Sequence, residues 1–547
     1  MNEQFYFRYS WLVLLIGIGI LLSGGCEQFP GEKFYEIQIP PQKTRQIETL
    51  DLEQISAKEK APAEANEIPP TELELTLEDC RALALSNNLD LKVQLISPAI
   101  AAKRLSEEEA KFEAAFFSNM QYIKTDTPDA STLDITGSQR DNSSMDFGVQ
   151  VPLRTGGTVT FDLADSRTKT DSTYPTFNPS YGSNLSVSIS QPLLQNAGNR
   201  ANTHSIRIAE YNRQITDAGT KLEVIRVIAA ADRLYWRLDA TRRELDVRKK
   251  QYDLAQAQLE QARRFVDSGE KAQVEVVRAE AGVAERLEAI IISENSVRDR
   301  ERELKQILNK PGLKMQSPTA LITATEPDPI HYELDKHNMV AAAVENRMEM
   351  LELELQLAQD ASTVDYLRNQ ALPLITLDYT YNISGLGATR SDSFDLLYDN
   401  RFADHVLGLN LLVPLGNEAA KSRLLQAFYQ RRQRLASKES RKTLIELEVL
   451  NAIDQLEANW QRILASRQNV ILSGRLFEAE KRQFELGLRT STDVLDAQTK
   501  FAEAQSSEIL ALAQYQIAQV DLAFATGTLL GAAKVQWEPI VPETNTR

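Results

Sequence analysis

Two carboxylates near the C-terminal end of the chain are spaced so that they could act together. Asp493 and Asp496 are three residues apart, about one helical turn, and they follow the glycine Gly487. On one helix face they would concentrate negative charge and attract cations, which is an electrostatic task rather than bond chemistry. A structural role competes for Asp493, because aspartate is favoured at a helix N-terminus. Asp496 lies too deep in the same helix to act as a cap.

No set of residues predicts catalysis or a bound cofactor. The four histidines are scattered, and the two cysteines cannot build a disulfide framework or a cysteine-rich metal site. The chain has no glycine-rich phosphate loop and no GxSxG elbow. Its formal net charge of −16 disfavours general nucleic-acid binding, which needs a basic footprint. We therefore expect no enzyme activity, no cofactor and no metal site.

The N-terminal residues predict an export signal that ends in a lipid anchor. Residues 11–22 form an apolar run that is too short for a bilayer span, which needs about twenty residues, but that suits the core of a signal peptide. Small residues precede Cys26, as at a bacterial lipoprotein cleavage site, although Ser23 stands where that pattern prefers leucine. We predict a signal peptide over 1–25 and a lipid on Cys26. The alternative is a plain secretory signal.

The next part of the chain changes from a tether to a helix. Residues 26–75 are rich in Pro, Glu, Lys and Gln and show no hydrophobic period, which predicts an extended, lipid-anchored tether. From Thr76 onward, apolar residues recur at helical spacing, and Thr76 with Asp79 resembles a capping box. A helix is predicted over 76–117, with an interruption at Pro98.

Five segments alternate apolar and polar residues with a period of two. They are residues 146–151, 158–164, 185–190, 375–382 and 407–413. This pattern is typical of strands in a membrane β-barrel, with apolar side chains toward lipid and polar ones toward the lumen. A soluble β-sandwich with one wet face gives the same alternation, so the strands alone leave both folds open.

Two very long helical segments favour the membrane channel over the sandwich. Residues 203–268 and 419–486 carry apolar side chains at three-four spacing, and each would extend about 100 Å as a helix. Helices of this length need coiled-coil partners to bury a narrow apolar stripe. The predicted partners are the returning segments 271–309 and 489–530.

The chain repeats itself. The hairpin tips 269–280 and 487–498 align without a gap, and Gly269 and Gly487 stand at the same position in each. Both glycines suit tight turns between helices. The repeat divides the rest of the chain into a first repeat over 76–326, a second repeat over 327–531 and a C-terminal tail over 532–547.

At these motifs the chain resembles the TolC-like outer-membrane efflux family over about residues 75–531. The most specific motifs are 487–498, 191–193 and 521–530. Leu89 and Met348 depart from the family, which commonly has proline at those places. The first strand region, 118–191, has runs for four strands where the family has two. The additional pair, near 144–165, either enlarges an extracellular hairpin or widens the barrel.

The resemblance implies an α+β membrane protein that forms a homotrimer. Three protomers, each with four strands in TolC, share one outer-membrane β-barrel, continued by a long α-helical coiled-coil tunnel through the periplasm. The hairpin tips, which carry Gly269 and Gly487, dock a periplasmic adaptor protein that is bound to an inner-membrane pump.

The resemblance also assigns roles to residues at the second tip. It places Asp493 and Asp496 at the pore constriction, where threefold symmetry gives a ring of six carboxylates. Arg489 matches a position that latches neighbouring hairpins in the closed state, and Glu275 stands at the partner position in the first repeat. The expected function is passive export in a tripartite efflux system.

Two alternatives remain open at this point. One keeps the channel and changes the cargo, as the outer-membrane exit duct of a type I protein secretion system. The other, from a different class, is a periplasmic coiled-coil scaffold lipoprotein without a pore.

Overall fold

The structure is a computed structural model that describes residues 72–128, 137–486 and 488–536. The first elements are β1 (Glu72–Leu75), α1 (Leu77–Asn87), α2 (Leu89–Gln94), α3 (Ser97–Ala110), β2 (Ala115–Asp126), β3 (Gln139–Pro152), β4 (Thr158–Thr170), β5 (Ser180–Pro192), α4 (Asn199–Asn202), α5 (His204–Asp267), α6 (Val274–Leu308) and β6 (Ala320–Thr323). The later elements are α7 (Lys336–Asn346), α8 (Met348–Gln370), β7 (Leu374–Gly387), α9 (Arg390–Tyr398), β8 (Ala403–Leu412), α10 (Glu418–Glu485), α11 (Ser491–Ala525) and α12 (Leu529–Ala532). The domain boundaries drawn from the sequence stay predictions.

The helical segment after the tether begins as its cap predicts. Asp79 N–H donates to Thr76 Oγ1 at 3.1 Å, and Thr76 N–H donates to Asp79 Oδ2 at 3.3 Å, which completes a capping box. Pro98 lies in the first turn of α3, where its missing N–H costs no hydrogen bond. The single helix predicted over 76–117 is therefore three short helices. They end at Ala110, because the following residues enter strand β2.

Six strands form one antiparallel sheet with one apolar face. Their order is β2-β3-β4-β5-β7-β8. One register row across the sheet consists of Phe116, Val149, Phe161, Val187, Tyr381 and His405, and it is apolar or aromatic up to the histidine in the edge strand β8. Many of the large side chains on this face are exposed in the single chain, and in the edge strand β8 Leu407 is 73% exposed. An apolar surface of this extent requires an apolar environment.

The opposite face of the same sheet is polar. The neighbouring register row consists of Phe117, Gly148, Asp162, Ser186, Asn382 and Asp404, in which Phe117 of the edge strand β2 is the large apolar exception. The strands contain 10 to 14 residues, which is enough to cross a bilayer at the usual tilt of a barrel strand. The predicted alternation is confirmed, and it is maintained from strand to strand.

The additional strand pair lies inside the wall of the sheet. β3 and β4 stand between β2 and β5 and pair with both along their length. The question that the sequence left open is therefore answered for the single chain: the pair widens the sheet rather than extending a hairpin beyond it.

Four long helices form two hairpins, α5–α6 and α10–α11. The helices α5 and α10 contain 64 and 68 residues, so each is about 100 Å long. Their bounds agree with the predicted 203–268 and 419–486 to within one residue at each end. The returning helices start later than predicted, because the first residues after each tip form a turn. α11 also packs along α5, which joins the two hairpins side by side.

A buried ion pair fixes the short N-terminal helix on α5. Arg81 donates from Nε and Nη2 to the two carboxylate oxygens of Asp232, both at 2.8 Å, and Asp232 is fully buried. Burial raises the pKa of the Asp232 carboxyl, against the opposing effect of Arg81. Close by, β1 pairs with β6 in parallel, and the Tyr235 hydroxyl donates to Leu75 O at 3.0 Å. These contacts connect the start of the described chain to the middle of the helical hairpins.

Candidate functional site

The tip of the first hairpin is a glycine-terminated helix end. α5 is followed by Gly269, whose φ of 77° lies in the left-handed region. Gly269 N–H donates to Val266 O at 2.9 Å, and Glu270 N–H donates to Phe265 O at 2.9 Å. These two bonds form a Schellman motif. Its left-handed position favours glycine, which has no Cβ to strain the backbone there. This geometry is compatible with the turn role predicted for Gly269, and its part in docking stays a prediction.

The tip of the second hairpin has the same closing bond and a capped return. Leu488 N–H donates to Gln483 O at 2.9 Å, the long bond of the same motif, while Gly487 lies outside the described residues. Thr490 then caps α11, because its N–H donates to Asp493 Oδ2 at 2.9 Å and its hydroxyl accepts from Asp493 N–H at 3.4 Å. The bonds that the carboxylate accepts from Thr490 N–H and from the Thr490 hydroxyl, the latter at 2.8 Å, lower the pKa of the Asp493 carboxyl.

Asp493 therefore belongs to a capping box, and Asp496 does not. Asp496 is exposed one turn further along α11 and lines a cavity of about 650 Å³ between α6 and α11. Arg278, Arg286 and Lys500 line the same cavity, so positive side chains stand on both of its walls. Of the two carboxylates that the sequence singles out, Asp496 is the one without a capping bond. The role of both at a pore constriction stays a prediction.

Arg489 and Glu275 each have another partner within the protomer. Arg489 Nε lies 3.1 Å from Glu480 Oε2, an ion pair that ties the tip back to the end of α10. Glu275 Oε1 pairs with Arg278 Nη1 at 2.7 Å, and its other oxygen accepts from Ser491 N–H at 3.3 Å. The Glu275 carboxylate thus contacts the second hairpin at the backbone N–H of Ser491 rather than at Arg489. A link between Arg489 and Glu275 of different protomers stays a prediction.

Lys271 is a tip residue that the sequence did not single out. Its Nζ lies 3.2 Å from the ring centroid of Phe484 on α10 and 5.1 Å from that of Phe265 on α5. The two rings meet edge to face, with centroids 6.0 Å apart. Burial lowers the pKa of the Lys271 amine, against the carboxylates of Glu275 and Glu270. The ammonium therefore connects the turn of the first hairpin to the second hairpin.

Buried amides make further contacts between the hairpins behind the tips. Gln258 Nε2 donates to Ser491 Oγ at 3.2 Å, and Gln498 Nε2 donates to the backbone oxygen of Gln251 at 3.1 Å. All four residues are buried. Gln498 ends the tip motif, so the motif could have indicated it, whereas no spacing in the sequence indicates its partner on α5. The site is thus a polar and aromatic contact zone between two helical hairpins.

Part of the predicted site lies beyond what is described. Cys26 and the predicted signal peptide are outside the described residues. Within the described ranges, no group of three or more His, Cys, Asp or Glu side chains is arranged to hold a metal ion. Among those same residues, no helix combines the length and the apolarity that crossing a bilayer requires.

A family model for outer membrane efflux proteins matches residues 131–310 and 339–528. The chain belongs to this family. The two matched ranges contain strands β3, β4, β5, β7 and β8 and both helical hairpins with their tips. The family resemblance that the sequence motifs carry is confirmed, and with it the location in the outer membrane.

Individual relatives agree with this assignment. The chain is 28% identical to the outer membrane protein TolC of Salmonella enteritidis over 206 residues, and 23% identical to TolC of Vibrio cholerae over 275 residues. These matches take in 36% and 50% of the chain but only 42% and 61% of the two relatives.

Solved channels share the fold. The outer membrane channel CmeC of Campylobacter jejuni superposes with a TM-score of 0.61 at 14% identity, covering 83% of this chain and 86% of CmeC. The open state of the outer membrane channel MtrE of Neisseria gonorrhoeae gives a TM-score of 0.58 at 15% identity, covering 83% and 89%. The combination of strands and long helices described above is therefore the fold of these channels.

Proposed function

We propose that the chain is the outer-membrane channel subunit of a tripartite efflux system. Three copies would pass substrates passively from a periplasmic adaptor and an inner-membrane pump to the exterior. The observation that carries this proposal is the two-faced sheet joined to helical hairpins about 100 Å long. A sheet with one apolar and one polar face can seal lipid around a wet lumen. The hairpins then give that lumen its continuation into the periplasm.

A passive channel needs a closed state, and in this proposal the hairpin tips form the closure. We place Asp493 and Asp496 at the constriction, where three copies would contribute six carboxylates. Asp493 is engaged by its own helix cap, whereas Asp496 has no capping bond and is exposed toward a cavity that also contains the carboxylates of Glu285 and Glu503 beside three cationic side chains. Asp496 is therefore expected to dominate the attraction of cations, and Asp493 to fix the start of the helix that presents it.

A latch between neighbouring protomers would bias the tips toward the closed state. Arg489 is about half exposed, and it contacts Glu480 and Gln483 of the preceding helix α10 through Nε, so the other nitrogens of its guanidinium remain as donors for a neighbouring subunit. Glu275 of that subunit is the proposed acceptor. Partly exposed ion pairs contribute about 1 kcal/mol or less each, so three copies would favour closure without preventing opening.

Two further contacts complete the proposed assembly. A lipid on Cys26 would hold the N-terminal tether at the membrane, in addition to the strands. The turns at Gly269 and Gly487 would form the surface on which the adaptor docks. No bond chemistry is required of any residue in this function.

Reconstitution into planar bilayers tests the proposal. The trimer should give cation-selective channels, and Asp496→Asn should reduce the selectivity more than Asp493→Asn does. Asp246→Asn is the matched control, because Asp246 is an exposed aspartate on α5 away from the tips. Carbonate extraction of the protein from outer membranes, together with no conductance from any variant, would instead support a scaffold without a pore. Equal effects of Asp246→Asn and Asp496→Asn would remove Asp496 from the constriction.

A further inference from the structure

We propose that three copies of the chain close a single barrel of eighteen strands, with β2 of one subunit paired to β8 of the next. The inference rests on the trimeric channel proposed above and adds the width of its outer end. Each protomer contributes six strands in one continuous sheet. A barrel built from four strands per protomer has twelve, and barrel diameter grows roughly in proportion to strand number.

The strand pair β3–β4 is a structural part of the sheet. β3 pairs with β2 from Ala115 to Asp126, and β4 pairs with β5 from Thr158 to Thr168. An appended hairpin would instead leave β2 and β5 paired to each other. Removing β3–β4 from the wall would break two complete ladders of backbone hydrogen bonds, whose groups have no other partner inside a membrane.

The turn between β3 and β4 is fastened at the junction of sheet and helices. Thr155 O accepts from Gly198 N–H at 2.9 Å, and Thr155 Oγ1 donates to Gln191 Oε1 at 3.0 Å. Gly156 has a φ of 93°, and a Cβ there would lie 2.1 Å from Asn196 O. This turn is therefore built against the segment that leads from β5 into α5, as a permanent part of the wall requires.

The two free edges of the sheet are suited to each other. β2 and β8 form the ends of the strand order, and nearly all their side chains are exposed. Because all neighbours in the sheet are antiparallel and the strand number is even, β2 and β8 run in opposite directions. Edge-to-edge pairing of copies thus continues the antiparallel pattern, and closure removes the unpaired edges that a single chain leaves in the membrane.

The wider wall has a calculable size. With strands about 4.8 Å apart and tilted by about 40°, eighteen strands give a backbone diameter of about 36 Å, against about 24 Å for twelve. Its lumen is acidic, because the polar face carries aspartates at 146, 162, 378 and 404. Within the described ranges, each protomer supplies four long helices to the tunnel. The exit would be wider than the tunnel that feeds it and would favour cations.

Distances between symmetric spin labels test the strand number. Ile189→Cys places a label on the lipid face of β5, and Lys250→Cys places one on α5 in the tunnel wall, where strand number has no direct effect. The native Cys80 thiol is fully buried, and burial raises its pKa to about 12, so it reacts poorly with the spin label. A Cys80→Ala background removes it as a competing labelling site. In a threefold ring, backbone sites are separated by about 31 Å with eighteen strands and about 21 Å with twelve.

The outcomes separate this inference from the function on which it rests. An outward-facing label lengthens both expected distances by the same amount, so the two barrels differ by about 10 Å whatever the label. A position-189 distance at the longer value supports eighteen strands. The shorter value, with an intersubunit distance at position 250, overturns the wider barrel and leaves the trimeric channel. Intersubunit distances at neither site would overturn the trimer itself.

Discussion

Replacing Lys271 with methionine should loosen the tip of the first hairpin from the second. The Lys271 ammonium lies 3.2 Å from the ring centroid of Phe484, and its Nζ is buried without a hydrogen-bond partner among the described residues. Methionine keeps an unbranched apolar side chain and removes the charge. The change therefore removes the cation–ring attraction while most of the packing against Phe265 and Phe484 remains possible.

The expected size follows from the burial of this contact. Cation–ring interactions reach about 2 kcal/mol when the cation is desolvated, and Phe484 is only 2% exposed. Part of that gain is offset by the cost of burying the ammonium, which is the cause of its lowered pKa. A net loss of about 1 to 2 kcal/mol is therefore expected, equivalent to a roughly 5- to 30-fold higher equilibrium constant for local opening of the tip.

Amide hydrogen exchange in the turn after α5 measures this opening directly. Lys271→Met should raise the exchange rates there by that factor, whereas Lys271→Arg keeps a cation that stacks on aromatic rings and should preserve most protection. Lys481→Met is the control, since Lys481 is exposed on α10 one turn before Phe484. In a double-mutant cycle with Phe484→Leu, the two changes should be less than additive. Strict additivity, or an equal effect of Lys481→Met, would refute the cation–ring contact.

Two other contacts give further predictions, one for global stability and one for local amide exchange. Arg81→Met should lower the thermal stability of the folded protein strongly, because it leaves the fully buried Asp232 without its bidentate partner, at a cost of about 3 to 5 kcal/mol. Arg226→Met is the control, because Arg226 belongs to an exposed ion pair and its loss should change the melting temperature little. Similar shifts in melting temperature from both variants would contradict the argument. Asp493→Ala should speed amide exchange at the start of α11, since it removes the two hydrogen bonds that the Asp493 carboxylate accepts, from Thr490 N–H at 2.9 Å and from the Thr490 hydroxyl at 2.8 Å. The pKa of Asp493 is lowered in the folded protein, so protection of the first amides of α11 should be complete above about pH 4. It should be lost as the pH falls through the pKa of the folded protein. The Asp493→Ala variant should show no such pH dependence.

The sequence predicts the elements of this protein well because their periods are simple. The period-two segments 146–151 and 375–382 lie inside β3 and β7, and the long segment 419–486 matches α10. In each case one face of the element meets one environment over its whole length, so the side-chain pattern states the conformation directly. The helix predicted over 76–117 was wrong at its C-terminal end, because β2 begins at Ala115, inside the predicted range.

Contacts between elements could not be predicted in the same way. The partner of Lys271 is a phenylalanine more than two hundred positions away, and the order of the residues carries no sign of it. Similarly, charge and alignment suggested Glu275 for Arg489, whereas within the protomer Arg489 pairs with Glu480 near the end of the preceding helix α10. Such choices depend on the relative axial position of two hairpins, which a helical period leaves undefined.

The packing of α5 changes along its length in a way that suits a gate at the tips. Near its middle α5 buries large side chains, among them Ile228, Tyr235 and Leu238, whereas toward the tip its buried residues are mainly small or polar, such as Gln251 and Ala255. Burying a large apolar side chain contributes about 1.5 to 3 kcal/mol, far more than a methyl group or an amide that exchanges water for one protein hydrogen bond. Separating α5 from the elements packed on it therefore costs least toward its tip. If only the tip third moves on opening, the middle of the helices can hold the subunits in place while the periplasmic end of the tunnel widens.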